Sequence, residues 1–198
     1  MELNTLPEEV QSAILWGLDL IPLAFLVLDK RGKVLHANVT AKEALRGGGV
    51  LTLAEEAVEL RSRQHHKLLY DLLARASSGS IERPTGFSIP RTNGRPLAIV
   101  VIPLKNSRPA SVVFIGDPDL EHTPDPVLLA RIFGFTPMES KVAAVFMQGK
   151  TIEEAANELR ISENTTRNHL KRLFIKTNTN KQAELLYALL SSPAFLRF

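Results

Sequence analysis

The spacing of apolar residues changes along the chain, and each change marks an element. From Pro7 to Leu18, Val10, Ile14 and Leu18 recur at helical spacing with Leu15 beside them, which predicts a helix over 7–18. Two β-rich segments follow, Ala24–Leu28 and Val34–Ala37, around the turn Asp29-Lys30-Arg31-Gly32. Residues 38–77 read as mostly helical, best over Gln64–Ala76, where Leu68, Leu69, Leu72 and Leu73 share one side. Three more strands are expected at Thr85–Ile89, Leu97–Leu104 and Ser111–Gly116, with Asn93-Gly94 as a hairpin signal between the first two. The order is strand, strand, helices, three strands, so this part reads as α+β on one five-stranded antiparallel sheet.

Between Asp117 and Pro126 the pattern breaks: Pro118, Pro124 and Pro126 disfavour continuous helix and suit a semi-rigid linker. Asp125-Pro126 then caps a short helix over about 126–133. Beyond it the pattern is purely helical. Thr136-Pro137-Met138-Glu139 and Thr151-Ile152-Glu153-Glu154 are capping boxes, Ser162 caps a third helix and Asn180 a fourth, and Gly149 can close the first in the left-handed conformation. Residues 136–191 thus read as four short helices, an all-α module. The expected division is 1–116, 117–133 (Pro-rich linker and short helix) and 134–198.

The third helix, Ser162–Lys176, carries the chemistry. Thr166, Leu170, Leu173 and Thr177 form one stripe, while Arg167, Asn168 and Lys171 fall on another side. Arg and Lys donate to guanine, and Asn pairs in two places with adenine, so this side suits base edges in a DNA major groove. An ordinary solvated helix face would look similar. The setting favours the groove, because only Arg160 and Ile161 separate this helix from the preceding one, over about 151–159, and that is helix-turn-helix spacing. Thr165, Arg172, Lys176 and Lys150 flank the reading side and are the expected phosphate contacts.

Residues 135–190 resemble the LuxR-type helix-turn-helix domain. The matching elements are Thr136-Pro137 with Glu139, Gly149-Lys150-Thr151, Glu154-Ala155-Ala156, Leu159, Ile161-Ser162, Thr165, His169-Leu170, Lys176 and Gln182-Ala183-Glu184-Leu185. Two positions depart from the family pattern: Thr166 replaces the usual valine and brings a hydroxyl that needs a partner, and Asn178 stands where glycine is frequent. The resemblance implies a transcription regulator whose partners are double-stranded DNA, a second copy of itself and RNA polymerase. It also implies dimer contacts through the fourth helix, Lys181–Leu190. There Leu185, Leu186, Leu189 and Leu190, with Tyr187 beside them, are more apolar than one core stripe requires.

Charge agrees with this. Residues 134–198 hold nine Lys and Arg against six Asp and Glu, while residues 1–133 hold fifteen of each, so the whole excess of +3 lies in the C-terminal module. The chain has no cysteine, which excludes disulfides, zinc–thiolate sites, iron–sulfur clusters and thiol chemistry. No apolar run approaches a membrane span, and MELNTLPEEV lacks the pattern of a signal peptide. A soluble cytoplasmic protein, with no membrane partner, is the expectation.

The N-terminal part resembles a PAS domain, most closely over residues 24–45, where a hydrophobic strand, a glycine turn, a second strand and Asn38 opening a helix follow one another. The resemblance implies a sensor and dimerisation module, and helices preceding such sheets often pair, which makes Val10, Ile14 and Leu18 a second dimer surface. No cofactor is indicated and no metal site. The five histidines, His36, His65, His66, His122 and His169, fit surface or core-edge roles better than haem ligation. Gly47-Gly48-Gly49 reads as a connector, and Asp117 and Asp119 as a solvated pair with little claim to a metal. The signal for the sensor, small molecule or protein, is unspecified. No catalytic constellation is present, so an enzyme is not expected. Two other readings compete with the sensory regulator. One is a signalling adaptor with a degenerate helix-turn-helix; the other is a regulator responsive to an acyl-homoserine-lactone-like molecule. The basic side of the third helix argues against the adaptor. The single Trp16, in the first helix, argues against the aromatic-lined lactone domain.

Overall fold

The computed structural model describes residues 7–46, 49–104, 110–120 and 124–197, which divide into two compact units, Met1–Leu120 and Glu121–Phe198. Gly47 and Gly48 of the glycine connector, and Glu121, His122 and Thr123 of the proline-rich segment, lie outside the described residues.

In the first unit α1 (Glu8–Asp19) follows Pro7, and β1 (Ala24–Asp29) and β2 (Val34–Ala37) pair as a hairpin. Then come α2 (Val39–Arg46), β3 (Leu51–Ala54), β4 (Ala57–Leu60), α3 (Arg63–Ser77), β5 (Thr85–Ile89), β6 (Leu97–Pro103) and β7 (Ala110–Gly116). Five strands form an antiparallel sheet in the order β2-β1-β7-β6-β5. This is the PAS-like α+β arrangement that the sequence implied. One face of the sheet, with Leu26, Leu28, Ile99, Val101, Val113 and Ile115, builds the core with Leu69, Leu72 and Leu73 of α3. Leu68, expected on that side of α3, is exposed.

The stretch 38–77 is mostly helical, as expected, through α2 and α3, but it also holds strands that the sequence did not announce. β3 and β4 form a separate hairpin inside it, with Ala54 opposite Ala57. The two residues between them, Glu55 (φ 46) and Glu56 (φ 67), are both left-handed, as a tight two-residue turn of the primed type requires. No glycine or asparagine marks the turn. The tip is fixed instead by docking: Val34 N–H donates to Glu56 O (2.9 Å), Val58 N–H donates to Gly32 O (2.9 Å), and Lys33 pairs with Glu56 (2.7 Å).

Asn38 joins three elements. Its fully buried side chain accepts from Phe25 N–H and Ala41 N–H (both 2.9 Å) and donates to Leu18 O (3.1 Å) and Leu23 O (3.0 Å). Asp117 and Asp119 are not a solvated pair. Both oxygens of Asp117 accept from the Arg91 guanidinium (2.8 and 2.9 Å), and Asp119 accepts from the same group at 2.6 Å.

The second unit is helical: α4 (Pro126–Phe133), α5 (Pro137–Met147), α6 (Ile152–Leu159), α7 (Glu163–Thr177) and α8 (Gln182–Leu190), then a short turn at Pro193–Phe195. Phe146, Val142, Leu173, Leu185 and Leu189 centre its core, and α4 adds the fully buried Leu129. Asp125 caps α4 by accepting from Val127 N–H, and Thr136 and Thr151 form complete capping boxes with Glu139 and Glu154. Asn180 does not cap α8 with its side chain. Its own N–H donates to Glu184, which reaches back over the first turn (2.9 Å).

Candidate nucleic-acid interface

The joint between α6 and α7 is set by two local devices. Arg160 is left-handed (φ 54), and Ile161 N–H returns to Ala156 O (3.0 Å), which closes α6 abruptly. Ser162 then accepts from Thr165 N–H (3.1 Å) and starts α7 two residues later. Thr166, Leu170 and Leu173 turn into the core, and Thr177 is half-buried. The Thr166 hydroxyl finds its partner within the helix by donating to Ser162 O (3.1 Å). Asn178 adopts φ 52 and ends α7 as glycine would.

On the opposite side Arg167, Asn168 and Lys171 are exposed together, with Arg172 at their flank. Arg167 donates to Glu163 one turn earlier (2.6 Å), and both side chains remain about half exposed. Lys171 has no ion pair among the described residues. Two residues on this side were not singled out from sequence. Glu163 is its acid, and Ile175, one turn after Lys171, is 79% exposed. The i, i+4 relation of each to Arg167 and Lys171 was the available signal.

The expected phosphate contacts are placed less uniformly. Arg172 is exposed. Thr165 is half-buried, and its hydroxyl bonds that of Ser162 (2.8 Å). Lys150 pairs with Glu158. Lys176 is engaged inward: its ammonium donates to Gly134 O (2.6 Å) and to Glu139 (2.7 Å), whose carboxylate is 1% exposed. Burial pushes the Glu139 carboxyl upward, but the bonds from Lys176 and from Thr136 N–H outweigh it and hold the carboxyl below its ordinary range.

Of the fourth-helix residues expected to pair, Leu185 and Leu189 are fully buried in the core of their own unit, and Leu186 is half-buried against it. They serve packing, because the stripe that faces α5 and α7 runs through them. The side of α8 left in solvent presents Tyr187, 76% exposed, and Leu190. In α1, Val10 and Ile14 are exposed and Leu18 is half-buried.

The first unit contains a cavity of about 600 Å³ between α2, β3 and one end of the sheet, with Leu51, Ile89, Leu97 and Ile115 as apolar wall and Glu43, Arg61 and Arg91 at its polar edge. Its size is that of a small-molecule site. No group of three or more potential metal-ligating His, Asp or Glu occurs among the described residues.

Residues 134–188 match the family described as bacterial regulatory proteins, luxR family. This segment is a LuxR-family domain. Its basic α7 is therefore the second helix of a LuxR-type helix-turn-helix. Over 73 residues the chain is 38% identical to the response regulator Rre1 of Synechocystis, an alignment that covers 36% of this chain and 30% of that protein. The chain thus spans under a third of that relative. Two solved structures are similar to it at low identity. A Vibrio VqmA–ligand–DNA complex matches at 19% identity and TM-score 0.39, over 98% of this chain and 94% of that one. The PAS domain of BvgS from Bordetella pertussis matches at 15% identity and TM-score 0.32, over 56% of this chain and 86% of that one. Among the described residues, no helix is long and apolar enough to cross a membrane.

Proposed function

We propose that this protein is a cytoplasmic, sequence-specific regulator of transcription that inserts α7 into the major groove of double-stranded DNA under the control of its PAS-like unit. The observation that carries the reading is the solvent face of α7. Arg167, Asn168 and Lys171 stand exposed on one side of a helix whose other side is locked into a core. These three read base edges. Arg172, Thr165 and Lys150 meet phosphates, Lys150 by exchanging Glu158 for the backbone. Lys176 keeps its place against Glu139. The N-terminal unit acts as sensor and dimerisation module, and its cavity offers a place for a small-molecule signal. Tyr187 and Leu190 of α8 are the residues through which two DNA-bound modules meet, and RNA polymerase is the partner that reads the bound dimer.

The test is selection of the full-length protein on random double-stranded DNA. The expected result is a motif of two half-sites spaced by about one helical turn, ~10 base pairs. A bound pool with no enriched motif, or no retention above that of a chain with Arg167, Asn168 and Lys171 all changed to Ala, would overturn the reading.

A further inference from the structure

The buried and exposed sides of α7 are built on one spacing. Thr166, Leu170, Leu173 and Thr177 follow one another at steps of 4, 3 and 4 and face the core of their unit. Asn164, Asn168, Lys171 and Ile175 repeat the same steps two positions earlier. At ~3.6 residues per turn a shift of two positions is about 200°, so this second row runs along the side turned directly away from the core. All four of its residues are exposed. Of the eight exposed residues of α7, Ile175 alone is apolar, and at 79% it is the most exposed large hydrophobic side chain among the described residues.

A single exposed apolar residue needs no explanation by itself. Its neighbours supply one here. Lys171 stands four positions before Ile175 and Arg172 three, both exposed, and residues so spaced on a helix have Cβ atoms about 5–6 Å apart. A polyanion seated on those two cations therefore covers Ile175 as well. Phosphate is a poor surface to meet it, because an apolar side chain there displaces water from a charged oxygen and offers no hydrogen bond in return. The major groove offers a better one: among the base edges it displays is the 5-methyl group of thymine. Isoleucine suits this contact. Its branch at Cβ holds χ1 close to one rotamer in a helix, so little side-chain freedom is lost when it packs.

We propose that Ile175 determines part of the DNA sequence preference, by packing its side chain on the 5-methyl group of a thymine in each half-site. The proposal rests on the DNA-binding reading given above and adds a fourth base reader to Arg167, Asn168 and Lys171. The position of that thymine follows from the helix. Ile175 lies eight residues beyond Arg167, which is about 12 Å at ~1.5 Å per residue. With base steps of ~3.4 Å, the thymine is roughly three to four steps from the base that Arg167 meets, on the side of the C-terminal end of α7. The contact is dispersion and exclusion of water, so it distinguishes bases by the methyl group alone.

The DNA permits a test that leaves the protein unaltered. Full-length protein is bound to its selected duplex, and to duplexes in which deoxyuridine replaces thymidine one position at a time. Each replacement removes a methyl group and no hydrogen-bonding group. At one position of each half-site it should weaken binding about fourfold, the ratio that burial of one methylene-sized group corresponds to. Ile175→Ala should bind the thymine and uracil duplexes equally, with an unchanged melting temperature because the side chain supports no core. Selection with wild type that yields no motif would overturn the DNA-binding reading itself. A clear motif without any methyl-dependent position would leave that reading standing and overturn this inference alone. So would a methyl effect that persists at full size in Ile175→Ala, since another side chain would then hold the thymine.

Discussion

The Lys176 ammonium lies 2.7 Å from the Glu139 carboxylate, which is almost wholly withdrawn from water. The pair ties the end of α7 to the first turn of α5, where Glu139 also completes the capping box by accepting from Thr136 N–H (2.8 Å). Losing the lysine leaves a buried carboxylate with the more distant Arg172, at 3.9 Å, as its remaining counter-charge, which is costlier than losing an exposed pair. Lys176→Ala should destabilise the C-terminal unit by about 2 kcal/mol, less than a fully buried pair because a third of the lysine remains in solvent. Urea unfolding of the full chain measures this. The Glu139 carboxyl is held below its ordinary value of 4.5. The stabilisation it brings is therefore complete above that value and fades as pH falls through the lower folded one. As pH falls below 4.5 wild type should lose stability more steeply than Glu139→Gln; parallel curves would show that the carboxylate is not the titrating element.

For base reading, Arg167→Ala should cost about 1–3 kcal/mol on the preferred site and relax the preference at one position. Binding to random DNA should change much less. Selection with the variant that returned the wild-type motif at equal strength would remove Arg167 from the reading side.

Salt dependence separates Arg172 from Lys176. Arg172→Ala should flatten the log–log dependence of affinity on salt by about 0.9. Lys176→Ala should leave that slope unchanged while lowering the melting temperature, because its ammonium already belongs to Glu139 and Gly134. Equal slopes for wild type and Arg172→Ala would exclude a phosphate contact at Arg172.

The β3–β4 turn places two glutamates at positive φ. Replacing Glu55 by Asn and Glu56 by Gly supplies the residues this turn favours. The exposed Lys33–Glu56 pair is lost with little effect. Net stabilisation of the first unit by roughly 0.5–1 kcal/mol is expected. A fall in its melting temperature would mean that the glutamates hold the tip by contacts the backbone argument omits.

What could be read before folding follows a physical division. Helices that announce themselves through local chemistry, such as Thr136-Pro137-Met138-Glu139 and Thr151-Ile152-Glu153-Glu154, start where the capping boxes place them. The stripe of Thr166, Leu170 and Leu173 is buried as its spacing implies. The β3–β4 hairpin was illegible because its turn is stabilised from outside, by Gly32 and Val34 rather than by its own residues. The bond from Lys176 to Glu139 was hidden because the two lie 37 positions apart, and a one-dimensional pattern cannot pair them. The leucines of α8 offered too much apolar surface for one stripe, and only the fold decides that Leu185 and Leu189 face inward while Tyr187 does not.

Asn38 places one amide under five obligations at once, to backbone groups of Phe25, Ala41, Leu18, Ile21 and Leu23. An aspartate would keep the two accepting bonds and aim a negative charge at three carbonyls; a leucine would fill the volume and take this partner from all five groups, leaving Leu18 O its bond from Ile21 N–H. No single neighbouring substitution can compensate either change, since every partner is main chain. The site therefore admits almost no drift, even though it lies outside both the cavity lining and the basic face of α7. Surveyed by deep mutational scanning, it should look like an active-site residue in a protein that owes its function elsewhere.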